Sequence, residues 1–230
     1  MSRPSANAAE LKLYNEIRRA IAERRLLPGV KLTEDTLASL FKVSRARVRK
    51  VLMLLAKENI VKHEPNRGAF ILKPSVSEAR KILDARRLVE CHLVRQASSM
   101  ATKRQVKNLR SILVQEKNAL IANDYSLMMR LSGEFHIVLA ECARNQILSA
   151  ILEDLISRSY LILAVYQRRD SECCPQNDHT EIVNNLENGD ADAAVIKLNQ
   201  HFNHIEAELD LREEIKFEKV EISDILHPPM

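Results

Sequence analysis

Three histidines in this chain of 230 residues stand where they could share one chemistry. His136 lies in the run Phe135-His136-Ile137-Val138-Leu139-Ala140, His179 follows Asp178, and His201 falls on the stripe Ala194, Leu198, His201, Ile205, Leu209. That stripe has the spacing of one helix face, which turns His201 toward an apolar interior. Neutral imidazole nitrogens are good ligands for transition metals, and three on separate helices can meet at one ion. A lone inward histidine is also an ordinary hydrogen-bonded core residue, and spacing alone does not establish convergence.

A second group of residues suits a polyanion. Arg45, Arg47, Arg49 and Lys50 crowd into six positions behind Ser44, interleaved with Val48, Val51, Leu52 and Leu55. The pattern predicts a helix capped by Ser44, apolar on one face and cationic on the other. Its free N-terminal amides and dipole then face what the arginines face. Arginine forks onto guanine in a major groove or clamps phosphates. Glu34 and Asp35 stand just upstream, so a surface on which these cations merely pair with carboxylates and water is the alternative. Asn66-Arg67-Gly68 follows at a turn, where Gly68 provides for a positive φ and Arg67 for a backbone or minor-groove contact.

The elements that must position these groups are mostly helical. Leu13, Ile17 and Ile21 predict a helix over about 8–26, ended by Pro28-Gly29. Thr33 is the expected N-cap of a short helix through Phe41, and Lys42-Val43 makes a tight connection to the Ser44-capped helix. Two extended segments, about 61–63 and 69–72, flank Glu64-Pro65-Asn66-Arg67-Gly68 as a hairpin. Pro74-Ser75 is the expected linker. Helices are then expected over about 76–100, 102–122, 125–143, 146–169, 176–188 and 190–211. The fold class is mainly α: an N-terminal winged helix-turn-helix over 1–74, an antiparallel all-helical bundle of about six helices over 75–212, and a tail over 213–230.

Composition agrees. Only four residues are Gly, and the aromatics are four Tyr, five Phe and no Trp, which argues against barrels, sandwiches and Gly-looped nucleotide folds. Residues 1–75 carry 16 Lys/Arg against 7 Asp/Glu, whereas residues 76–230 carry 19 against 24. A basic module joined to a mildly acidic one suggests a nucleic-acid binder attached to a different function. No apolar run approaches a membrane span and the start lacks a signal core, so no membrane partner and a cytoplasmic location are expected. Cys91, Cys142, Cys173 and Cys174 are then expected reduced, the last two as surface thiols in a loop.

Pro28-Gly29-x-x-Leu32-x-Glu34-x-x-Leu37-Ala38, then Val43-Ser44-Arg45-x-x-Val48-Arg49, then Arg67-Gly68, resembles the DNA-binding domain of GntR-family bacterial transcription regulators. The resemblance implies DNA contact by Ser44, Arg45, Arg47, Arg49, Arg67 and Gly68. Ala46 departs from it, standing where relatives often have a polar residue. Arg86-x-x-x-Glu90, Phe135-His136, Asn145, His179 and Gly189-Asp190-x-x-x-Ala194 ending at His201 resemble the FCD-type effector domain of the FadR-type branch. That implies a transition metal, zinc or nickel, held by His136, His179 and His201 on the floor of a ligand cavity. In that family an Asp four residues before the first histidine completes the site. Here the position is Ser132, with Gly133 beside it. Either the three histidines hold the metal alone, or they bind an anionic effector directly. Arg86, Ser132 and Asn145 are the expected effector contacts, although Arg86 could equally pair with Glu90. The whole implies a homodimeric, effector-responsive repressor of a double-stranded operator, its effector an organic acid, and not an enzyme. The alternatives are a metal-dependent hydrolase and a non-specific architectural DNA-binding protein.

Overall fold

A computed structural model describes residues 8–22, 25–168, 176–212, 222 and 226. Cys173 and Cys174 fall outside these residues. Cys91 and Cys142 are free thiols. Two compact units divide the chain: Met1–Pro74 with Tyr160–Val165 and Glu214–Met230, and Ser75–Ser159 with Tyr166–Glu213.

The first unit is a winged helix-turn-helix. Helix α1 (Ala8–Ala22) buries Leu13, Tyr14, Ile17, Ala20 and Ile21, the face its four-residue repeat prescribes. Strand β1 (Lys31–Leu32) leads to α2 (Glu34–Phe41). Thr33 occupies the N-cap position of α2, but its hydroxyl donates to Thr36 Oγ1 at 2.6 Å and does not cap the helix. The expected side-chain cap is therefore corrected: a neighbouring hydroxyl competes for it. Lys42, in left-handed backbone (φ 53°), turns the chain into α3 (Arg45–Lys57). There Ser44 does cap, its Oγ accepting from the Arg47 amide at 3.4 Å. Helix α3 buries Val48, Val51, Leu52 and Leu55.

Strands β2 (Val61–Glu64) and β3 (Gly68–Ile71) form the wing hairpin, with Val61 opposite Ile71 and Glu64 opposite Gly68. The sheet order is β1-β3-β2, Lys31 pairing with Phe70. Gly68 has φ 102°, a conformation that side-chain-bearing residues avoid, so the hairpin turn depends on it. The core of this unit also takes in Leu161, Ala164, Ile222 and Leu226.

The second unit is built from α4 (Val76–Met100), α5 (Lys103–Ile121), α6 (Tyr125–Cys142), α7 (Gln146–Tyr166), α8 (Gln176–Glu187) and α9 (Ala191–Ala207). Tyr160–Val165 of α7 belong to the first unit. Short polar side chains start these helices: Ser75, Thr102 with Gln105 as a reciprocal box, Asp124, Asn145 and Asp190. Helix α4 packs on α9, α6 and α8, and α5 packs on α6 and α8. The architecture is the mainly helical one expected. No helix among the described residues is long and apolar enough to cross a membrane.

Candidate metal centre and nucleic-acid interface

His136 on α6, His179 on α8 and His201 on α9 are all buried, at 1%, 1% and 0% exposure. One ring nitrogen from each lies within 4.8 Å of the others, and no acidic residue joins that group among the described residues. Phe135 stacks on His179 with centroids 4.3 Å apart and fixes its ring plane.

Carboxylates surround the cluster. His179 Nδ1 lies 3.1 Å from Glu116 Oε2 on α5, and His201 Nδ1 lies 3.4 Å from Asp178 Oδ2 on α8. The Nε2 atoms of these two rings face each other at 3.3 Å. A neutral imidazole carries one ring proton. Glu116 holds that proton on the Nδ1 of His179, whereas Asp178 is too poorly aligned with His201 Nδ1 to count as a hydrogen bond, so the close polar contact of the His201 ring is its Nε2 against His179 Nε2. Nitrogens sharing one zinc-type ion at about 2.1 Å each sit about 3.0–3.4 Å apart. The donor set therefore fits a transition metal. Glu116 is oriented as an outer carboxylate that fixes the His179 tautomer, and Asp178, 2.7 Å from His204 Nδ1, adds negative charge beside the cluster.

His136 has a different neighbour. Its Nδ1 lies 2.6 Å from Glu90 Oε2, too poorly aligned to count as a hydrogen bond. Arg86 Nε donates to Glu90 Oε1 at 2.5 Å. Burial alone would push the Glu90 carboxyl up, but Arg86 and His136 hold it down, at about 2. Burial pushes His136 down to about 4 against the pull of Glu90, and His201 down to about 3. Both rings are thus neutral near pH 7, the state that ligates metal.

The expected effector contacts are placed as follows. Arg86 is buried beside His136, its guanidinium engaged by Glu90 and its Cζ 5.4 Å from the Phe202 ring centroid. Ser132 is half-buried on α6, one turn before His136. Asn145 uses its Oδ1 to cap α7, accepting from the Leu148 amide at 3.2 Å. His204 is half exposed and lies 2.7 Å from Asp178, outside the buried group. A hydrolase would need an acid–base group free at the cluster. Glu134 pairs with Arg130 on the surface, and Glu116 and Asp178 lie against ring nitrogens.

Sequence reasoning passed over Glu116, and assigned Glu90 only as a partner for Arg86. A signal was present: Glu116 is a lone carboxylate on the apolar stripe Val106, Leu109, Ile112, Ala119, and Glu90 shares the stripe Leu83, Leu93, Ala97 with Arg86 alone as a polar neighbour. Carboxylates are not buried without partners.

In the first unit, Ser44, Arg45, Arg47 and Arg49 are exposed together at the start of α3, with Arg67 and Gly68 exposed at the wing tip. Each cation has a carboxylate beside it. Arg45 meets Asp35 at 2.5 Å, Arg49 meets Glu34 at 2.8 Å, Lys50 meets Glu10 at 2.9 Å, and Arg47 lies 4.0 Å from Glu10. Arg67 pairs with Glu64 at 2.5 Å and lies over Phe70. An exposed single-contact pair such as Arg45 with Asp35 is weak and exchanges readily for phosphate oxygens.

The FCD domain family matches residues 81–204, and the family described as bacterial regulatory proteins, gntR family, matches residues 9–71. The chain is 28% identical over 197 residues to the HTH-type transcriptional repressor RspR of Escherichia coli K12, covering 84% of this chain and 86% of that one. It is 26% identical over 179 residues to the gluconate operon transcriptional repressor of Bacillus subtilis, covering 77% and 72%. Among solved structures, Escherichia coli McbR/YncC aligns at TM-score 0.71 with 18% identity over 87% of this chain and 96% of that one. A transcriptional regulator GntR from Rhodococcus sp. RHA1 aligns at TM-score 0.72 with 23% identity over 87% and 97%. Both structural likenesses are of fold.

Proposed function

This chain belongs to the GntR family of bacterial regulatory proteins, an FCD domain following its winged helix-turn-helix, and we propose that this DNA-binding transcription regulator is a metal-containing, effector-responsive repressor acting as a homodimer. The observation that carries the sensing half is the convergence of one nitrogen each from His136, His179 and His201 within 4.8 Å in a buried, carboxylate-ringed site.

His136, His179 and His201 hold the ion. Glu116 orients the His179 ring, and Glu116 and Asp178 supply the negative charge that Ser132, in place of an acid, does not. When bound, the metal supplies a concentrated positive charge that attracts an anionic ligand. The effector is an organic acid, with Arg86, Ser132 and Asn145 as its candidate protein contacts. On the DNA side, Ser44, Arg45, Arg47 and Arg49 enter the major groove from α3, and Arg67 and Gly68 lie along the backbone. One module reads few base pairs, so a symmetric pair on a near-palindromic operator provides the specificity. Effector binding shifts the equilibrium between two placements of the DNA modules and so changes operator affinity, the coupling passing by Pro74-Ser75. The repressor assignment draws on relatives named as repressors.

The test joins metal analysis to DNA binding. Protein purified without chelator or histidine tag should hold about one transition-metal ion per chain. It should shift duplex DNA selectively in a gel, and an organic acid should weaken that complex. Ser132→Asp should tighten the metal. Metal-free protein that still responds to organic acids would overturn the metal and leave direct anion binding by the histidines. Equal shifts on all sequences would overturn the operator-reading regulator.

A further inference from the structure

The contact between Arg49 and Glu34 differs in kind from the other ion pairs on α3. Arg49 Nε donates to Glu34 Oε1 at 3.0 Å, and Arg49 Nη2 donates to Glu34 Oε2 at 2.8 Å. This is a side-on fork, two parallel charge-assisted hydrogen bonds that lock the guanidinium plane. Arg45, by contrast, has one nitrogen on Asp35. The side-on edge of Arg49 is therefore engaged by protein, and the end-on edge, Nη1 with the outer face of Nη2, is the one left to project. An end-on edge has the spacing to fork the two acceptors of guanine.

Glu34 does two things to Arg49 at once. It removes rotamer freedom before DNA arrives, which lowers the ordering cost of a base contact. It also neutralises the charge, which lowers the attraction to phosphate that every sequence offers alike. Both effects favour discrimination over raw affinity. We infer that Glu34 is a specificity-determining residue: by holding Arg49 side-on, it presents the end-on edge to a base and suppresses non-specific phosphate binding.

The inference rests on the DNA-binding reading, and the experiment separates the two. The probes are a duplex recovered by the wild-type protein from a randomised library and a scrambled duplex of equal length, titrated across salt concentrations. If the wild-type protein recovers no preferred duplex, the operator reading falls. Given a preferred duplex, Glu34→Gln should bind the scrambled duplex about two- to fivefold more tightly. Its log affinity against log salt should steepen by about one unit, the signature of one more phosphate neutralised. The preference for the recovered duplex should fall. Asp35→Asn removes the same charge one residue away but leaves the fork intact, so it should retain the preference. Arg49→Lys keeps the charge and cannot fork, so it should lose the preference without steepening the salt dependence, and it stands in if Glu34→Gln fails to fold. An unchanged preference in folded Glu34→Gln, or in Arg49→Lys where Glu34→Gln fails to fold, or an equal loss in Asp35→Asn, overturns the inference.

Discussion

The first unit keeps the ion pair between Arg45 and Asp35 in water, whereas the second buries the pair beside its histidine cluster in its core. Arg45 and Asp35 meet with side chains 68% and 66% exposed, whereas Arg86 and Glu90 meet at 5% and 2%. The chemistry is the same, a cationic or titratable nitrogen against a carboxylate. The environment decides what it does. In water such a pair contributes little to stability and can be traded for another anion, which suits a surface that must exchange carboxylate for phosphate. In the core the pair cannot be traded without leaving a charge stranded, which suits a site that must hold its geometry until a ligand enters.

The sharpest way to break this contrast is Glu90→Ala. It strands the buried Arg86 guanidinium and should cost about 3–5 kcal/mol of stability. Urea unfolding measures it, and the double variant Arg86→Met/Glu90→Leu should recover most of the loss. An unchanged midpoint for the single variant would mean that this site behaves like the surface. Acid is the next lever. His136 at about 4 and His201 at about 3 lie below their ordinary value of 6.5. The unfolded chain therefore binds more protons across that window, so stability is full above about pH 6.5 and declines as pH falls through it. Glu90, at about 2 against an ordinary 4.5, adds a loss in the same direction, but only below about pH 4.5. Thermal unfolding of metal-free protein between pH 7.5 and 5 should show the decline, and a flat profile would contradict the buried neutral rings.

Two smaller effects sharpen the comparison from each side. Glu116→Gln should weaken metal binding about 10–100-fold in a chelator competition, because His179 loses the carboxylate that fixes its tautomer. Arg45→Ala should leave folding stability within about 1 kcal/mol, as an exposed pair dictates. Its cost should appear instead as about 1–3 kcal/mol of sequence-selective DNA binding. Equal losses in both assays would place Arg45 in the scaffold and not in the reading face.

The two units were also unequally legible. Helix α3 could be read almost whole, because Val48, Val51, Leu52 and Leu55 repeat at helical spacing and Ser44 is a local cap. Strand β1 could not, since two residues carry no alternation and Lys31–Leu32 become a strand only by pairing with β3. Thr33 does stand at the N-cap of α2, as its local position prescribes, but its hydroxyl turns to the Thr36 side chain, which no local pattern shows. In the second unit the inward face of His201 follows from periodicity, and His136 stands in an apolar run. Their meeting with His179 depends on how three helices pack, which no local pattern encodes. The pairing of Asp178 with His201 likewise exists only once α8 lies against α9. Glu116 was legible in principle, as a carboxylate where the stripe called for an aliphatic.

The core of the winged unit draws Leu161, Ala164, Ile222 and Leu226 together with Leu13, Ile17 and Leu52. A ribosome delivers these residues in chain order. When the wing hairpin has emerged, α3 and its arginines already exist, but the apolar floor beneath them still lacks the side chains encoded far downstream. The DNA-reading surface is thus finished only after the sensing unit has been synthesised. A chain interrupted midway carries the basic helix on a core that lacks these four buried side chains.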